Sequence, residues 1–335
     1  MVKKMKGLSV VIPCYTKPNQ VISCITHLLR STGLGKEFSM EIIIVDGSPN
    51  RTVRKVYEKM SSNVPESVQL VYRKELNTGG IAGARNLGVS VSKNGIILAV
   101  DSDIEVEKDS VLRTIKTFKD HKNAAMVAGN VYWRGGPLDG KIDRPRRHDR
   151  RIKVGKTTYI EMTHGRAVAF LKSAFNRAGK YDETLFPMQG EGPDISIRFW
   201  RAGLPIVYNP EIRFHHLSGY KKGEKTKSYL YHGWNMKRTI LMHRSMLLFM
   251  YKYGFLENKK SNWMKTISLE CKNNFGMSSE YVIFSTLSEA LDWIMENKKA
   301  IEKSKKKIPK KHDFKPYDVF TDKKLFMKAV KSSKQ

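Results

Sequence analysis

Short apolar runs rich in β-branched residues alternate with helix-period segments throughout residues 8–131. The runs predict β-strands, and the segments between them carry apolar residues three and four positions apart, as amphipathic helices do. Alternation of this kind is typical of a parallel sheet with helices packed on its faces, so the expected fold class is α/β. The predicted strands are residues 8–13, 41–45, 68–73, 96–100 and 124–131.

Three carboxylates are among the first polar residues after these predicted strands. In open α/β sheets, ligands bind beyond the carboxyl ends of the strands, so residues placed there are candidates for a binding site. A solvated loop could also hold such residues, but their shared position at strand ends favours a site. The five candidates are Thr16, Asp46, Arg73, Asp101 and Asp103.

Asp101 and Asp103 flank a single serine after the fourth predicted strand. Two carboxylates one residue apart in a loop can converge on one hard cation. Mg²⁺ or Mn²⁺ takes one or two such oxygens and completes its shell with water and phosphate oxygens. The alternative is a polar turn in which Asp101 caps the next helix, but the position at a strand end favours a metal site.

Residues 77–88 are rich in glycine and open a predicted helix. Glycines let the backbone approach a phosphate or a base closely, and a helix N-terminus favours negative charge. The stretch lacks the spacing of a P-loop, and it follows the third strand where a dinucleotide fingerprint would follow the first. Close packing of a helix on the sheet is the alternative interpretation.

Glu191 and Asp194 lie three residues apart at the start of another predicted helix, an arrangement that suits base catalysis or acceptor binding. Capping of the helix by one of these acids is the alternative. His215 and His216 follow a strand-like segment, residues 205–214. Neighbouring side chains of a strand point to opposite faces, so at most one of the two imidazoles is expected in a site, and the alternative for either is a structural role.

The chain carries 61 Lys and Arg against 32 Asp and Glu, a formal net charge of +29. Such an excess calls for an anionic partner, which could be nucleic acid, lipid headgroups or a diphosphate ligand.

The three cysteines have no paired spacing, which argues against a disulfide framework or a zinc site and for a reducing compartment. No stretch has the length of a signal-peptide core or a membrane span, so we expect a cytoplasmic protein, with peripheral membrane attachment as an alternative.

The pattern changes after residue 131. Residues 134–156 predict a mobile loop, residues 159–171 return to strand character, and residues 195–202 predict a helix. Beyond Gly219 helical segments interleave aromatic and basic residues, and from Lys298 the chain predicts a weakly ordered, lysine-rich tail. Mixed aromatic and basic residues suit an anionic membrane interface, although a solvated helical face is the alternative.

In this order, the motifs resemble those of the family 2 glycosyltransferases, which have the GT-A fold. The resemblance covers residues 7–220. Each motif is weak by itself, and the ordered set is specific. The matching stretches are residues 9–15, 44–48, 77–88, 100–103, 165–170, 181–183 and 190–198, together with His216.

The resemblance implies a GT-A fold, a Rossmann-like nucleotide-binding sheet flanked by helices, to which the residues after Gly219 add a predicted, mainly helical, basic C-terminal extension. It also implies Mn²⁺- or Mg²⁺-dependent, inverting transfer of a sugar from UDP, GDP or dTDP to a hydroxyl group of a glycan or a lipid-linked acceptor. Asp46 would hold the base, Asp101 the ribose, and Asp103 the metal together with His216. The implied donor-binding residues are Pro13, Tyr15, Thr16, Asp46, Arg85 and Asp101.

The chain departs from the family pattern at two positions. Gly192 stands where the family usually has an aspartate after the glutamate, so Glu191 or Asp194 must act as the catalytic base, or the enzyme is weak or inactive. Asp46 is followed by glycine, where many members have a second acid.

The expected organisation is a GT-A domain over residues 1–220, with a donor-nucleotide half (1–131) and an acceptor half (132–220). A helical basic and aromatic region (221–297) and a lysine-rich tail (298–335) follow.

The main competing function is that of a basic protein that has a non-catalytic fold of this type and binds nucleic acid or an anionic surface. The acidic strand ends oppose it, because a binder of the phosphate backbone has no use for them. A nucleotidyltransferase would leave Glu191 and His216 unexplained.

Overall fold

The protein is described here by a computed structural model, which covers residues 6–76, 79–135, 139–142, 151–163, 165–217, 236–253, 280–309, 327 and 330–332. The strands within these residues are β1 (Lys6–Cys14), β2 (Phe38–Asp46), β3 (Val68–Lys74), β4 (Ile96–Val100), β5 (Ile104–Val106), β6 (Met126–Arg134), β7 (Arg151–Val154), β8 (Thr157–Ile160), β9 (Ala167–Leu171) and β10 (Ile206–Leu217). The helices are α1 (Pro18–Leu29), α2 (Thr52–Ser61), α3 (Gly80–Val91), α4 (Ser110–Asp120), α5 (Lys172–Arg177), α6 (Glu191–Arg201), α7 (Met236–Lys252), α8 (Glu280–Glu296) and α9 (Lys298–Lys306).

These strands form one mixed sheet with the order β3-β2-β1-β4-β9-β6-β10-β8-β7, and β5 pairs with β10. The five strands predicted from the apolar runs are confirmed as β1, β2, β3, β4 and β6, and the first four are parallel neighbours. Strand β9 runs antiparallel between β4 and β6, and β6 is parallel to β10. The carboxyl ends of β1–β4, β6 and β10 therefore meet the start of β9 at one edge of the sheet.

The apolar runs are explained by burial on both faces of the central strands. Residues 42–45 of β2 are all completely buried, as the uninterrupted β-branched sequence predicts. Helix α3 packs so closely on this layer that a Cβ atom at Gly88 would lie 2.3 Å from Cγ1 of Val11. The glycine-rich segment thus serves helix–sheet packing at this position, which was the alternative interpretation.

Three predicted segments differ from the structure. Residues 159–171 form two strands, because Gly165 between them has a φ of +76° that a strand cannot continue through. The predicted loop 134–156 contains β7, which pairs with β8. The lysine-rich tail begins as an ordered helix, α9, since Ile301 and Ser304 are buried against the rest of the protein and Ser304 donates a hydrogen bond to Asp182.

The C-terminal helices are joined to the region before α6 by an apolar cluster. Its buried members are Leu185, Phe186, Leu247, Leu248, Ala290, Ile294 and Ile301.

Parts of two predicted segments lie outside the described residues. They are the start of the glycine-rich stretch, at Asn77 and Thr78, and part of the aromatic and basic region beyond Gly219, which includes Tyr220, Tyr229, Tyr231 and Trp234. No helix in the described part of the chain has both the length and the apolar character needed to span a membrane.

Candidate active site

The ends of β1 and β2 form the first part of the site. Cys14 pairs with Asp46 in the register of these parallel strands, so the residues after β1 lie beside the end of β2. Pro13 is buried, whereas Tyr15 is 61% exposed and Thr16 is also exposed. An exposed aromatic ring at a sheet edge can stack on a planar ligand such as a nucleobase.

Asp46 is the last residue of β2 and is enclosed by neighbouring side chains. Its side chain is completely buried, Oδ1 accepts hydrogen bonds from the backbone N–H and the hydroxyl of Ser48, and Oδ2 accepts one of 2.7 Å from Tyr72. Lys74 Nζ lies 3.7 Å from the same Oδ2. In this structure the carboxylate holds Ser48 and Tyr72 in place, and its contact with a base stays a prediction.

Arg85, in α3, joins two predicted site residues from opposite halves of the domain. The side chain is completely buried; Nη2 donates to Oδ1 of Asp101 at 2.6 Å, and Nη1 donates to Oε1 of Glu191 at 3.0 Å. The ring of Tyr181 lies 5.5 Å from the guanidinium carbon. The bridge brings the end of β4 and the start of α6 to one place, although the two carboxylates are far apart in sequence.

The charges of this bridge act on one another. Burial raises the pKa of Asp101 to about 6, against the opposing effect of the Arg85 guanidinium. Burial would lower the pKa of Arg85, but the charges of Asp101 and Glu191 and the neighbouring Tyr181 outweigh it, so the pKa is raised. Arg85 is therefore a permanent cation at the centre of the site.

Asp103 and His216 form the second group. Nε2 of His216, near the end of β10, lies 3.4 Å from Oδ2 of Asp103, and the imidazole packs on Trp133 with ring centres 4.4 Å apart. His215 points the other way, with Nε2 2.9 Å from Oε1 of Glu107. The two imidazoles thus have different partners on opposite faces of β10, and the expectation that at most one of them enters a site stays a prediction.

Asp103 and His216 could supply part of the coordination shell of a Mg²⁺ or Mn²⁺ ion. Burial would raise the pKa of Asp103, but the hydrogen bond and charge of His216 and the charge of Arg166 hold it below its ordinary value, so the carboxylate is ionised at neutral pH. One carboxylate oxygen and one imidazole nitrogen are suitable donors for either ion. Among the described residues no group of three or more His, Cys, Asp or Glu is arranged to hold a metal, so water and phosphate oxygens would supply the remaining donors.

Asp194 faces away from this site into a buried ionic network, here called the α6–α7 network. Its side chain is 1% exposed; Oδ1 accepts hydrogen bonds from Lys252 Nζ at 2.8 Å and from the Tyr253 hydroxyl at 2.7 Å. Nε of Arg198 lies 3.0 Å from Oδ2. The same Lys252 Nζ also donates to Asp182 at 2.9 Å. With its oxygens shared among these cations, Asp194 is unsuited to the role of second candidate base and instead attaches α7 to α6.

The start of α6 is built from glycines that keep Glu191 at the site. Gly190 has a φ of +82°, and a Cβ atom there would lie 2.8 Å from Cδ1 of Phe186. A Cβ atom at Gly165 would lie 3.1 Å from Cα of Gly192 and 3.3 Å from Oε1 of Glu191. The glycine that replaces the family's aspartate thus lies against the backbone of the Gly165 turn, next to the remaining carboxylate.

Sequence reasoning assigned no role to Arg166, Trp133, Tyr181 or Lys252. Arg166 directly follows Gly165 inside a matched stretch, which was the available signal for its position. Lys252 lies 58 residues from its partner Asp194, and no local pattern relates them.

Comparison with known proteins identifies the family and the fold of the chain. The sequence model of the family described as glycosyl transferase family 2 matches residues 9–179, just over half of the chain. The chain is 30% identical over 125 residues to Glycosyltransferase GlyG of Streptococcus pneumoniae, covering 37% of this chain and 39% of that protein. It is 32% identical over 126 residues to Hyaluronan synthase of Pasteurella multocida, covering 38% of this chain and 12% of that protein. The chain therefore matches well under half of the length of these relatives.

A solved structure shares the fold at low sequence identity. The crystal structure of GalNAc-T7 with UDP, GalNAc and Mn²⁺ superposes with a TM-score of 0.55 at 16% identity, covering 74% of this chain and 48% of that chain. The likeness confirms the expected GT-A fold.

Proposed function

The chain belongs to glycosyl transferase family 2, and from this membership we propose that it moves a sugar from a nucleoside-diphosphate sugar to a hydroxyl group, with inversion at the anomeric carbon. The observation that carries the proposal is the Arg85 bridge. The buried guanidinium of Arg85 binds two carboxylates. Asp101 comes from the edge of the sheet where the donor is proposed to bind, here called the donor edge, and Glu191 comes from the acceptor half.

The donor nucleotide is proposed to lie over the ends of β1, β2 and β4. The exposed ring of Tyr15 stacks on the base, flanked by Pro13 and Thr16, and Asp46 supports this pocket through Ser48 and Tyr72. Asp101 receives the ribose hydroxyls, because only one of its oxygens is used by Arg85. UDP, GDP and dTDP all remain candidates, and the UDP bound to GalNAc-T7 makes UDP the first to test.

Asp103 and His216 would hold a divalent ion, Mn²⁺ or Mg²⁺. Such an ion supplies charge neutralisation for the leaving diphosphate. The lowered pKa of Asp103 keeps that carboxylate ionised, and Trp133 fixes the plane of the His216 ring.

Glu191 is the proposed catalytic base. Its carboxylate accepts the proton of the acceptor hydroxyl while that oxygen forms a bond to the anomeric carbon and the bond to the diphosphate breaks. Arg85 holds one Glu191 oxygen at 3.0 Å, which orients the side chain. A base must come within about 2.6–3.2 Å of the hydroxyl that it deprotonates. We assign Asp194 to structure, because it lies in the α6–α7 network.

The acceptor is proposed to be a glycan or a lipid-linked sugar bound by the acceptor half, residues 132–220, next to the donor half, residues 1–131. An anionic membrane surface is the proposed location. Support comes from α9, which exposes Lys298, Lys299, Lys303 and Lys306 on a helix held to the domain by Ser304.

Titration calorimetry with UDP, GDP and dTDP, in Mn²⁺ and in EDTA, tests the function. We expect one of the three to bind more tightly in Mn²⁺, and Asp103→Asn to lose that dependence. Asp120→Asn is the matched control, because Asp120 is exposed at the end of α4 and precedes the start of β6 at the opposite sheet edge. If none of the three binds in either condition, the proposed function is wrong.

A further inference from the structure

We propose that Lys252, at the end of α7, is a positioning residue for Glu191 and Arg85. The inference rests on the proposed function, in which Glu191 is the base, and adds a residue that acts through Glu191 without touching the substrate. It also makes α7 part of the catalytic unit, although this helix lies beyond residue 179, where the match to the family model ends.

Lys252 holds the first turn of α6, which carries Glu191. Its side chain is completely buried, and Nζ donates a hydrogen bond of 2.8 Å to Oδ1 of Asp194. The N–H of Asp194 in turn donates to the carbonyl oxygen of Gly190 at 2.9 Å, which closes the helical turn around Glu191. The position of α7 therefore reaches the backbone of the proposed base within one turn of helix.

The same ammonium group holds the segment that packs on Arg85. It donates to Oδ2 of Asp182 at 2.9 Å, and the ring of the preceding residue, Tyr181, lies 5.5 Å from the guanidinium carbon of Arg85. The side-chain amide of Asn86, next to Arg85 in α3, donates to the carbonyl oxygen of Tyr181 at 3.0 Å and accepts from its N–H at 3.1 Å. One cation thus joins both segments that meet at this guanidinium.

The backbone just before Glu191 lies against α7 as well. A Cβ atom at Gly190, where φ is +82°, would lie 3.4 Å from Cβ of Ser245 in α7. Gln189 has a φ of +65°, which residues other than glycine rarely adopt. Such a backbone persists where surrounding contacts fix it, and α7 supplies part of those contacts.

The charges of the α6–α7 network are balanced, so its geometry depends on each member. The acids are Asp182 and Asp194, the bases are Arg198 and Lys252, and none of the four side chains is more than 10% exposed. Burial would raise the pKa of Asp182, but the charge of Lys252 and the hydrogen bond from Ser304 hold it below its ordinary value. Without the ammonium group, two carboxylates share one guanidinium and repel each other, which would draw apart the segments that carry them.

The test measures turnover and donor affinity separately in Lys252→Met. Turnover is the release of UDP from UDP-glucose, UDP-galactose and their N-acetylated forms in Mn²⁺, with water as the acceptor. If GDP or dTDP is the nucleotide that binds, its sugars take their place. Donor affinity is measured by titration calorimetry with the nucleoside diphosphate.

The control for a general loss of stability is Glu41→Gln. Glu41 is 4% exposed, and its Oε2 accepts hydrogen bonds from the hydroxyl of Ser9 and the N–H of Lys93, away from the donor edge. This substitution also disturbs a buried carboxylate, so it should lower the melting temperature and leave turnover unchanged.

We expect Lys252→Met to lose about 10²-fold in turnover, because a misplacement of about 1 Å in a catalytic group has an effect of this size. Its affinity for the nucleoside diphosphate should equal that of the unaltered protein. In a Glu191→Gln background, Lys252→Met should cause no further loss, since the group that it positions is already removed. A purely structural role would give the same fractional loss in both backgrounds.

If Lys252→Met does not fold, its combination with Asp182→Asn is used, because the pair of changes removes one charge of each sign from the network. Failure of both variants to fold would mean that the network serves the fold alone, and would overturn the assignment. Unchanged turnover, an equal loss in the Glu191→Gln background or a parallel loss of donor affinity would also overturn it, with the proposed function left in place.

The unaltered protein provides the remaining outcomes. If it binds a nucleoside diphosphate but releases none from these donors, Glu191 as the base and Lys252 as its positioning residue are both wrong, while the nucleotide site stands. If it binds no nucleoside diphosphate in Mn²⁺ or in EDTA, the proposed function and this inference fail together.

Discussion

The buried carboxylates of α6 have different partners, and the partners separate their roles. Glu191 meets Arg85, which also binds Asp101 at the donor edge. Asp194, less than one helical turn further on, meets Lys252 and Arg198 in the interior. From these partners we expect Asp194 to act in the fold and Glu191 to act in the reaction.

Glu191→Gln should abolish most turnover while leaving donor affinity unchanged. The amide can still accept a hydrogen bond from Arg85 but cannot take a proton from the acceptor, and general base catalysis contributes about 10²- to 10⁴-fold. The measurements are nucleoside diphosphate released from the donor in the presence of acceptor, and donor affinity by calorimetry. Full turnover in Glu191→Gln would show that another group is the base.

Asp194→Asn should instead lower the free energy of unfolding. Removing one charge from a buried ion pair costs about 3–5 kcal/mol, because the remaining cations are left uncompensated. Urea unfolding of this variant and of the exposed control Asp120→Asn measures the difference. A stable but inactive Asp194→Asn, beside an active Glu191→Gln, would reverse the two assignments.

The clustering of the candidate residues could be predicted, because their positions follow from strand ends. Asp101 and Asp103 lie one and three residues after β4, His216 lies next to the end of β10, and these strand ends share an edge of the sheet. The roles of these residues stay predictions. Burial of Asp46 and Asp194 could not be predicted, since it depends on Tyr72 and Lys252, partners 26 and 58 residues away that no local pattern identifies.

Arg85 is carried by helix α3, and Gly88 allows this helix to pack close to the sheet. A Cβ atom at Gly88 would lie 2.3 Å from Cγ1 of Val11 and 3.2 Å from Cγ2 of Val45. Both contacts are to strands whose ends form the proposed donor site. A change in this packing would therefore move Arg85 relative to Asp101.

Gly88→Ala should lower the free energy of unfolding by about 1–3 kcal/mol, the usual cost of overpacking a core. The gain in helix propensity, about 1 kcal/mol, opposes this only in part. The matched control is Gly95→Ala, because a Cβ atom at Gly95 would meet nothing within 4 Å. Equal melting temperatures for the two variants would contradict the close approach of α3.

The type of an element, helix or strand, was predictable where the segment was long enough to show a pattern of apolar residues. Strands β1, β2 and β4 contain runs of at least four apolar residues and β3 has apolar residues at 68, 70, 71 and 72, whereas β5 has three residues and β7 has four, too few to show a period. The order of α9 was not predictable from its lysines, because α9 is held by partners distant in sequence: Ser304 donates to Asp182, Tyr251 donates to Glu302, and Ile301 is buried.

The net charge of +29 belongs to the molecule as a whole, but its effect depends on where lysines are exposed. Along α9 the exposed lysines are Lys298, Lys299, Lys303 and Lys306. Each basic residue near an anionic bilayer contributes about 1 kcal/mol, so four of them could hold the enzyme at a membrane.

We expect the full chain to float with anionic vesicles and not with neutral ones, and to be released at high salt. Replacing the four α9 lysines by Gln should abolish flotation. The control removes the same charge elsewhere, at the exposed residues Lys55, Lys59, Lys116 and Lys119. Equal loss in both quadruple variants would mean that net charge, and not the α9 surface, holds the protein. If the unaltered protein does not float with anionic vesicles at low salt, the membrane proposal is wrong.

The central claim is that the edge of the sheet where β1, β2 and β4 end is a metal-assisted nucleotide-sugar site facing Glu191. An anomalous difference map from crystals grown with UDP and Mn²⁺ tests it most directly. We expect one manganese peak in contact with Asp103 and His216, with the uridine beside Tyr15 and the diphosphate between them. Nucleotide or manganese bound away from Asp103 and Asp101 would contradict it.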